Sequence, residues 1–166
     1  MDLASLGDST GVVRELLLRE ATVGTAESLT GGQVAAAITT VPGSSGAFLG
    51  GVVAYATEVK VKVLGVPEQV VEEHGVISAE CAESMATGVR ELTGATYGIA
   101  TTGVAGPSEQ EGKPPGTVFV AVAGPRGVEV AALNPQGNRT QIQWASVEGV
   151  LSLLLGILRR EEPAVG

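Results

Sequence analysis

An α/β domain, with a mixed β-sheet packed between layers of helices, is the fold class this sequence predicts. Three observations carry that expectation. Short apolar runs alternate with longer segments of helical periodicity along most of the chain, the order in which strands come to be covered by intervening helices. One late pair of runs is separated only by Gly124-Pro125-Arg126-Gly127, a hairpin signal that makes the sheet mixed rather than wholly parallel. The composition, 44% apolar with 3% aromatic residues and 24 glycines, suits a core of Val, Leu, Ile and Ala closed by tight loops. At 166 residues the chain reads as one domain over 1–166, with a structured core from about 10 to 160.

The elements follow in order. Residues 1–9 are small or polar and are expected to fray. Val12 to Glu20 sets apolar residues at helical spacing between charges, and Ala21-Thr22-Val23 opens a strand. A small-residue turn, Gly24 to Gly32, leads into an Ala-rich helix, Gln33 to Ile38, which stops before the loop Pro42-Gly43-Ser44-Ser45-Gly46. Phe48 to Ala56 reads as a buried strand with Tyr55 near its end, and Thr57 to Leu64 as a short helix capped by Thr57. Pro67 opens a further helical segment closed by His74-Gly75, and Ser78 begins a well-patterned helix to about Leu92. Thr96 to Thr102 is a strand, 107–115 a polar loop, and Thr117 to Val122 and Val128 to Leu133 the hairpin strands. After a loop from Asn134 to Asn138, Thr140 to Arg160 forms a long terminal helix with an apolar second half.

Charge and rare residues narrow the chemistry. A net charge of −8 argues against non-specific binding to nucleic acid or membrane, which needs basic surface. Cys81 and His74 are the only residues of their kinds, which leaves no intrachain disulfide and no Cys or His metal cluster. With no signal pattern or apolar run of transmembrane length, a cytoplasmic location is expected, and Asn138-Arg139-Thr140 is a chance sequon.

Three Gly/Ser/Thr-rich loops follow strands, at 24–32, 101–107 and 134–140, and ligands collect where such loops converge beyond strand ends. They carry Ser28, Thr30, Thr101, Thr102, Asn138 and Arg139, while Tyr55 and Lys60 lie at another strand-to-helix junction. The N–H groups at the helix start after Ser28 would attract an anion or a developing oxyanion. Glu27, Ser28 and Thr30 are the reactive or capping side chains there; Ser28 or Thr30 reads equally as a plain N-cap. A Ser-His-Asp triad could use only His74, whose place at a helix end has a structural explanation, and no Gly-x-Ser-x-Gly elbow exists. A Ser-Lys pair survives, with Lys60 or Lys62 as the desolvated base, although either also reads as a solvated helix lysine. Gly106 to Pro114 has the wrong spacing for a phosphate loop and a proline after its lysine. Arg139 could grip a phosphate or carboxylate, or lie on the surface.

Five motifs in order now become recognisable: Thr25-Ala26-Glu27-Ser28-x-Thr30-Gly31-Gly32, Tyr55-x4-Lys60, Thr102-Gly103-Val104-Ala105-Gly106-Pro107, Lys113-Pro114-x-Gly116-Thr117-Val118 and Gly137-x-Arg139. From about residue 10 to 160 the chain resembles the CinA C-terminal domain family. The resemblance implies a nicotinamide-nucleotide amidase of the pyridine nucleotide cycle and NAD salvage, converting nicotinamide mononucleotide to nicotinate mononucleotide and ammonia. It implies Ser28 as nucleophile, Lys60 as base and Tyr55 as the residue that assists and positions them. Thr30, Gly31, Thr102 and Gly103 would line the site or stabilise the oxyanion, and Arg139 would stand at the substrate pocket. No metal or cofactor is implied. A homodimer or other homo-oligomer is expected, and the chain resembles the family's stand-alone form.

Leu29, Thr57, the stretch Ser108-Glu109-Gln110-Glu111 and Asn138 depart from the family's usual Cys, Asn, glycine-rich and Asp choices. The acidic stretch is where substrate affinity would change. Two other readings stay open: a non-catalytic ligand-binding or interaction domain tied to competence or DNA damage, and an amidase for another carboxamide.

Overall fold

A computed structural model describes residues 3–161. Its elements are α1 (Leu3–Leu18), β1 (Val23–Glu27), α2 (Gln33–Thr39), a 3-10 turn (Ser44–Gly46), β2 (Phe48–Val53), α3 (Thr57–Lys62) and α4 (Glu68–His74). They continue with α5 (Ala79–Thr93), β3 (Tyr97–Gly103), β4 (Val118–Gly124), β5 (Gly127–Leu133) and α6 (Arg139–Arg160). The expected α/β/α sandwich is what forms.

One sheet runs in the order β2-β1-β3-β4-β5. β1 is parallel to β2 and β3, whereas β3, β4 and β5 pair antiparallel in succession. Hence β1, β2, β3 and β5 all end at the same edge. The β1–β2 ladder holds one irregularity: Val23 faces Phe48 and Gly24 faces Gly50, so Leu49 is an extra residue in β2.

Alternate strand residues supply two apolar layers. Val23, Ile99 and Val120 face α1, α2 and α6, where Val12, Leu16, Ile38, Leu151 and Leu154 are buried. On the other side Ala26, Ala100 and Ala121 face Cys81, Met85 and Val89 of α5. The alanines bring α5 close to the sheet: a Cβ at Gly98 would lie 2.1 Å from Ala86 O.

Several sequence expectations need correction. α1 begins at Leu3, inside the stretch expected to fray, because Ser9, Val12 and Val13 are buried against the core. β1 extends to Glu27, so about half of the anticipated turn belongs to a strand inside the sheet. Gly51 of β2 makes the close pairing possible: a Cβ there would fall 2.1 Å from Thr25 Oγ1. β2 lies at the sheet edge, with Leu49 and Val53 half exposed, rather than buried. Thr57 caps nothing; Ala56 occupies the N-cap of α3 and offers no side-chain acceptor. By length and composition α6 would also pass for a membrane span, contrary to the sequence expectation, but its apolar face packs on α1 and the sheet.

Candidate active site

The shared strand edge gathers the side chains that were scattered in sequence. Ser28 directly follows β1, Tyr55 lies just past β2, Gly103 ends β3, and Arg139 opens α6 after β5. Glu27 and Ser28 project to opposite sides of the strand. Glu27 faces α2, and Ser28 faces α3, where Lys60 is waiting.

Lys60 is a buried lysine, only 1% exposed, the one buried basic side chain among the described residues. Its Nζ donates to Ser28 Oγ at 2.9 Å, to Ala54 O at 2.8 Å and to Tyr55 O at 3.2 Å. All three ammonium protons thus have acceptors. If one proton is lost, the two carbonyls can keep the remaining N–H groups and the lone pair can turn to the serine hydroxyl. Burial lowers the pKa of Lys60 below the ordinary lysine value, with Cys81 and Glu111 opposing that shift. Lys62, the alternative base, is exposed and lies 4.0 Å from Glu58. Cys81 is buried beneath the site, and desolvation pushes its thiol up to about 11.

Beside Ser28 opens a cavity of about 350 Å³, walled by Leu29, Tyr55, the 103–110 segment and Arg139. Arg139 reaches across it: one guanidinium nitrogen donates to Gly106 O and Nη2 donates to Tyr55 Oη at 2.8 Å. The Tyr55 phenol therefore engages Arg139, while the same residue's carbonyl engages Lys60. Asn138 caps α6 through Gln141 N at 2.9 Å, and Gln141 answers with a bond to Asn138 N in a complete capping box. The box fixes the first turn of α6, on which Arg139 stands.

The 107–113 loop is more ordered than its polar composition suggested. Gln110 and Lys113 bridge, with Glu111 and Gly112 both at positive φ between them, the pattern of a tight type I′ turn. The Glu111 carboxylate accepts from Val76 N at 3.0 Å and Ile77 N at 2.9 Å, and Lys113 Nζ donates to Ile77 O. This turn tethers the cavity wall to the segment between α4 and α5.

The α2 N-terminus is not an open anion site. Gly32 is its N-cap and provides no side-chain acceptor. Instead Glu27, 1% exposed, accepts from Val34 N at 2.8 Å and from Ala35 N at 3.1 Å. Thr30 also donates to Glu27 at 2.6 Å and lies 2.8 Å from Thr101 Oγ1. Neither Ser28 nor Thr30 is the helix cap.

Thr30 and Thr102 are buried, with their side chains outside the cavity wall; Thr102 donates to Val76 O at 2.6 Å. Gly31 is exposed at φ 55 and is likewise not in the wall, whereas Gly103 is. His74 sits at the end of α4, 3.8 Å from both Glu73 and Glu80. Sequence reasoning missed the tether at Glu111 and the brace from Gln143 Nε2 to Leu29 O at 2.9 Å. Neither has a local signature.

A buried lysine beside a serine, at the carboxyl edge of a mixed sheet between two helical layers, defines a class of α/β protein built around a Ser-Lys pair. The chain belongs to the CinA C-terminal domain family, whose model it matches over residues 8–158. A CinA-like protein of Frankia casuarinae is 49% identical over 149 residues, covering 89% of this chain and 34% of that protein. A putative competence-damage inducible protein of Desulforudis audaxviator is 44% identical over 151 residues, covering 90% and 37% respectively. The chain thus spans about a third of the length of the curated relatives it matches. Among solved structures, a CinA superfamily protein of Klebsiella pneumoniae superposes with TM-score 0.91 at 32% identity, over 95% of this chain and 99% of that one. A competence/damage inducible protein of Agrobacterium tumefaciens does so with TM-score 0.90 at 31% identity, over 96% and 99%.

Proposed function

We propose that this domain is an amidohydrolase that converts nicotinamide mononucleotide to nicotinate mononucleotide and ammonia through a serine ester, without a metal. The observation that carries the reading is the 2.9 Å contact between Lys60 Nζ and Ser28 Oγ, with two backbone carbonyls orienting a buried amine. Burial favours the neutral amine that a general base must be. Neutral Lys60 takes the Ser28 proton as Oγ attacks the carboxamide carbon. The resulting lysine ammonium returns that proton to the departing nitrogen, which leaves as ammonia. Water then attacks the ester with Lys60 again as base, the C–O bond to Ser28 breaks, and the ammonium returns its proton to Ser28 Oγ as the acid product leaves and ionises to the carboxylate.

Because Glu27 occupies the α2 terminus, the oxyanion must look to other backbone N–H groups bordering the cavity. The turn after Ser28 and the 105–106 stretch are the candidates, since Val104 N is already committed to Thr117 O at 2.9 Å. Arg139, carried at the cavity wall, suits the substrate phosphate. Among the described residues no group of three His, Cys, Asp or Glu side chains is placed to hold a metal.

The test is ammonia release from nicotinamide mononucleotide by wild type, Ser28→Ala and Lys60→Ala, with and without chelator. Release lost in both variants and indifferent to chelator is the expected result. Release that survives Ser28→Ala would sink the covalent route. No release from the wild type would favour another carboxamide or a binding role.

A further inference from the structure

Glu27 is a carboxylate almost wholly removed from water, 1% exposed, that bonds to no lysine, arginine or histidine among the described residues. Its ligands are two N–H groups of α2 and the Thr30 hydroxyl. Such bonds to a charged acceptor are strong, and they complement the positive end of the helix. Their arrangement has a direction. Thr30 spends its only proton on Glu27, so the 2.8 Å contact between Thr30 and Thr101 must use the Thr101 proton. Thr101 in turn accepts the Ser28 N–H on its carbonyl at 3.1 Å. Ser28 is therefore flanked by one continuous set of bonds, from α2 through Glu27 and Thr30 to β3 and back to its own amide. Its carbonyl closes the turn by accepting from Gly31 N at 3.1 Å.

We propose that Glu27 is the positioning residue of the Ser28 centre: its carboxylate ties the start of α2 to the end of β3 and so holds the intervening turn with Ser28 within reach of Lys60. The turn's other ties are backbone or distant ones, Ser28 N to Thr101 O at 3.1 Å and Gln143 Nε2 to Leu29 O at 2.9 Å, and among the side-chain bonds at the turn only the Glu27 carboxylate joins it to the first turn of α2. Lys60 is fixed independently, by Ala54 O and Tyr55 O. Loss of the Glu27 bonds thus displaces one member of the pair and leaves the other in place. A shift of about 1 Å between reacting groups can lower a rate by about a hundredfold. The kinetic form of this inference rests on the amidase reading; the geometric form needs only a reactive Ser28.

The decisive variant is Glu27→Gln, which keeps the size and one acceptor oxygen but sets an NH₂ group against a backbone N–H. Glu27→Asp keeps the charge but withdraws it by one methylene. Steady-state kinetics with nicotinamide mononucleotide and the rate of Ser28 labelling by a fluorophosphonate are measured alongside the thermal midpoint. The expected result for Glu27→Gln is kcat down by about thirtyfold or more, KM within about threefold, and labelling slowed in parallel. Circular dichroism at the assay temperature should show a folded protein, and Glu27→Asp should fall between it and the wild type.

A folded Glu27→Gln with wild-type kcat and labelling overturns the positioning role while leaving the amidase intact. Losses that only mirror the unfolded fraction overturn it too. If the wild type is labelled yet releases no ammonia, the substrate is wrong, and the labelling rates still decide the role of Glu27. A wild type that is neither active nor labelled overturns both readings.

Discussion

Arg139 Nη2 and Tyr55 Oη meet at 2.8 Å although 84 positions separate them. This bond makes the start of α6 and the exit from β2 one wall. The guanidinium is held by a phenol and by Gly106 O, so part of the ordering that the proposed phosphate contact would need is already present. Arg139→Ala is expected to raise KM for nicotinamide mononucleotide by roughly ten- to a hundredfold, the span of a lost charged hydrogen bond. Turnover of nicotinamide riboside, which lacks the phosphate, should change little. Tyr55→Phe should give a smaller KM effect, and equal losses on both substrates would count against a phosphate role for Arg139.

The buried amine of Lys60 ties stability to pH. Its native pKa lies below the ordinary lysine value. Between those two values the unfolded chain binds a proton here that the native chain does not, so stability rises with pH across that window. Below the native pKa the burial penalty on the charged form is fully felt. Cys81, raised from 9.0 to about 11, and Tyr97, raised from 10.0 to about 12, act oppositely as pH climbs through their own ranges. Urea midpoints of wild type and Lys60→Met, compared at rising pH up to the ordinary lysine value of about 10.4, isolate the lysine. The wild type should gain on the variant as pH rises; parallel curves would contradict the linkage. The kcat/KM of the wild type should rise with pH as Lys60 loses its proton, at a pH below the ordinary lysine value.

Gly75 marks the tether. It has φ 75 and ψ 178, and a Cβ there would lie 2.7 Å from Glu111 Oε1. That backbone region is left essentially to glycine, at a strain of about 1–3 kcal/mol for other residues. Gly75→Ala is expected to lose about that much stability and to displace Glu111 from Val76 and Ile77. Since the same turn carries the cavity wall at 107–110, KM should rise as well. Unchanged KM in a destabilised variant would separate the tether from the wall.

The layer between α6 and the sheet should behave as a plain apolar core. Leu151 is fully buried, and Leu151→Ala is expected to lower stability by about 2–5 kcal/mol. Leu17 is 43% exposed, and Leu17→Ala should stay within about 0.5 kcal/mol. Denaturant titration distinguishes them, and kcat per folded molecule should be unaltered in both.

Much of this was legible in the chain because the informative features are local. Alternation of short apolar runs with helical stretches announced the layers, and the tight Gly124–Gly127 turn announced the hairpin that makes the sheet mixed. Ser28, Tyr55, Gly103 and Arg139 each follow a strand or end one, and the strand-end rule was enough to expect them together. The choice of Lys60 over Lys62 was legible only through the Tyr55-x4-Lys60 motif of the family resemblance, since both lysines sit on one short helix and only packing turns one of them inward. Glu27 was expected among the reactive or capping side chains of the turn, and it does hold the start of α2, but from the end of β1. A cap was sought beside the helix start, whereas the carboxylate reaches Val34 and Ala35 from the preceding strand. The half-exposed β2 was read as buried because Phe-Leu-Gly-Gly-Val-Val carries no charge to betray an edge.

Leu49 gives that edge strand a significance beyond its position. The single continuous stretch from Ala54 to Lys60 contains the amine and both carbonyls that aim it, so the whole base moves as a block with β2. What sets the block against the nucleophile is the phase of the β1–β2 ladder, which brings Ala54 N to Glu27 O at 2.8 Å. The extra residue at Leu49 lets Phe48 keep its place against the core while the remainder of the strand advances by one step. One step along a strand is about 3.3 Å, longer than the hydrogen bond between Lys60 and Ser28. Leu49 therefore works as a spacer, and shortening β2 at that point would make the packing of Phe48 and the pairing of the reactive groups mutually exclusive.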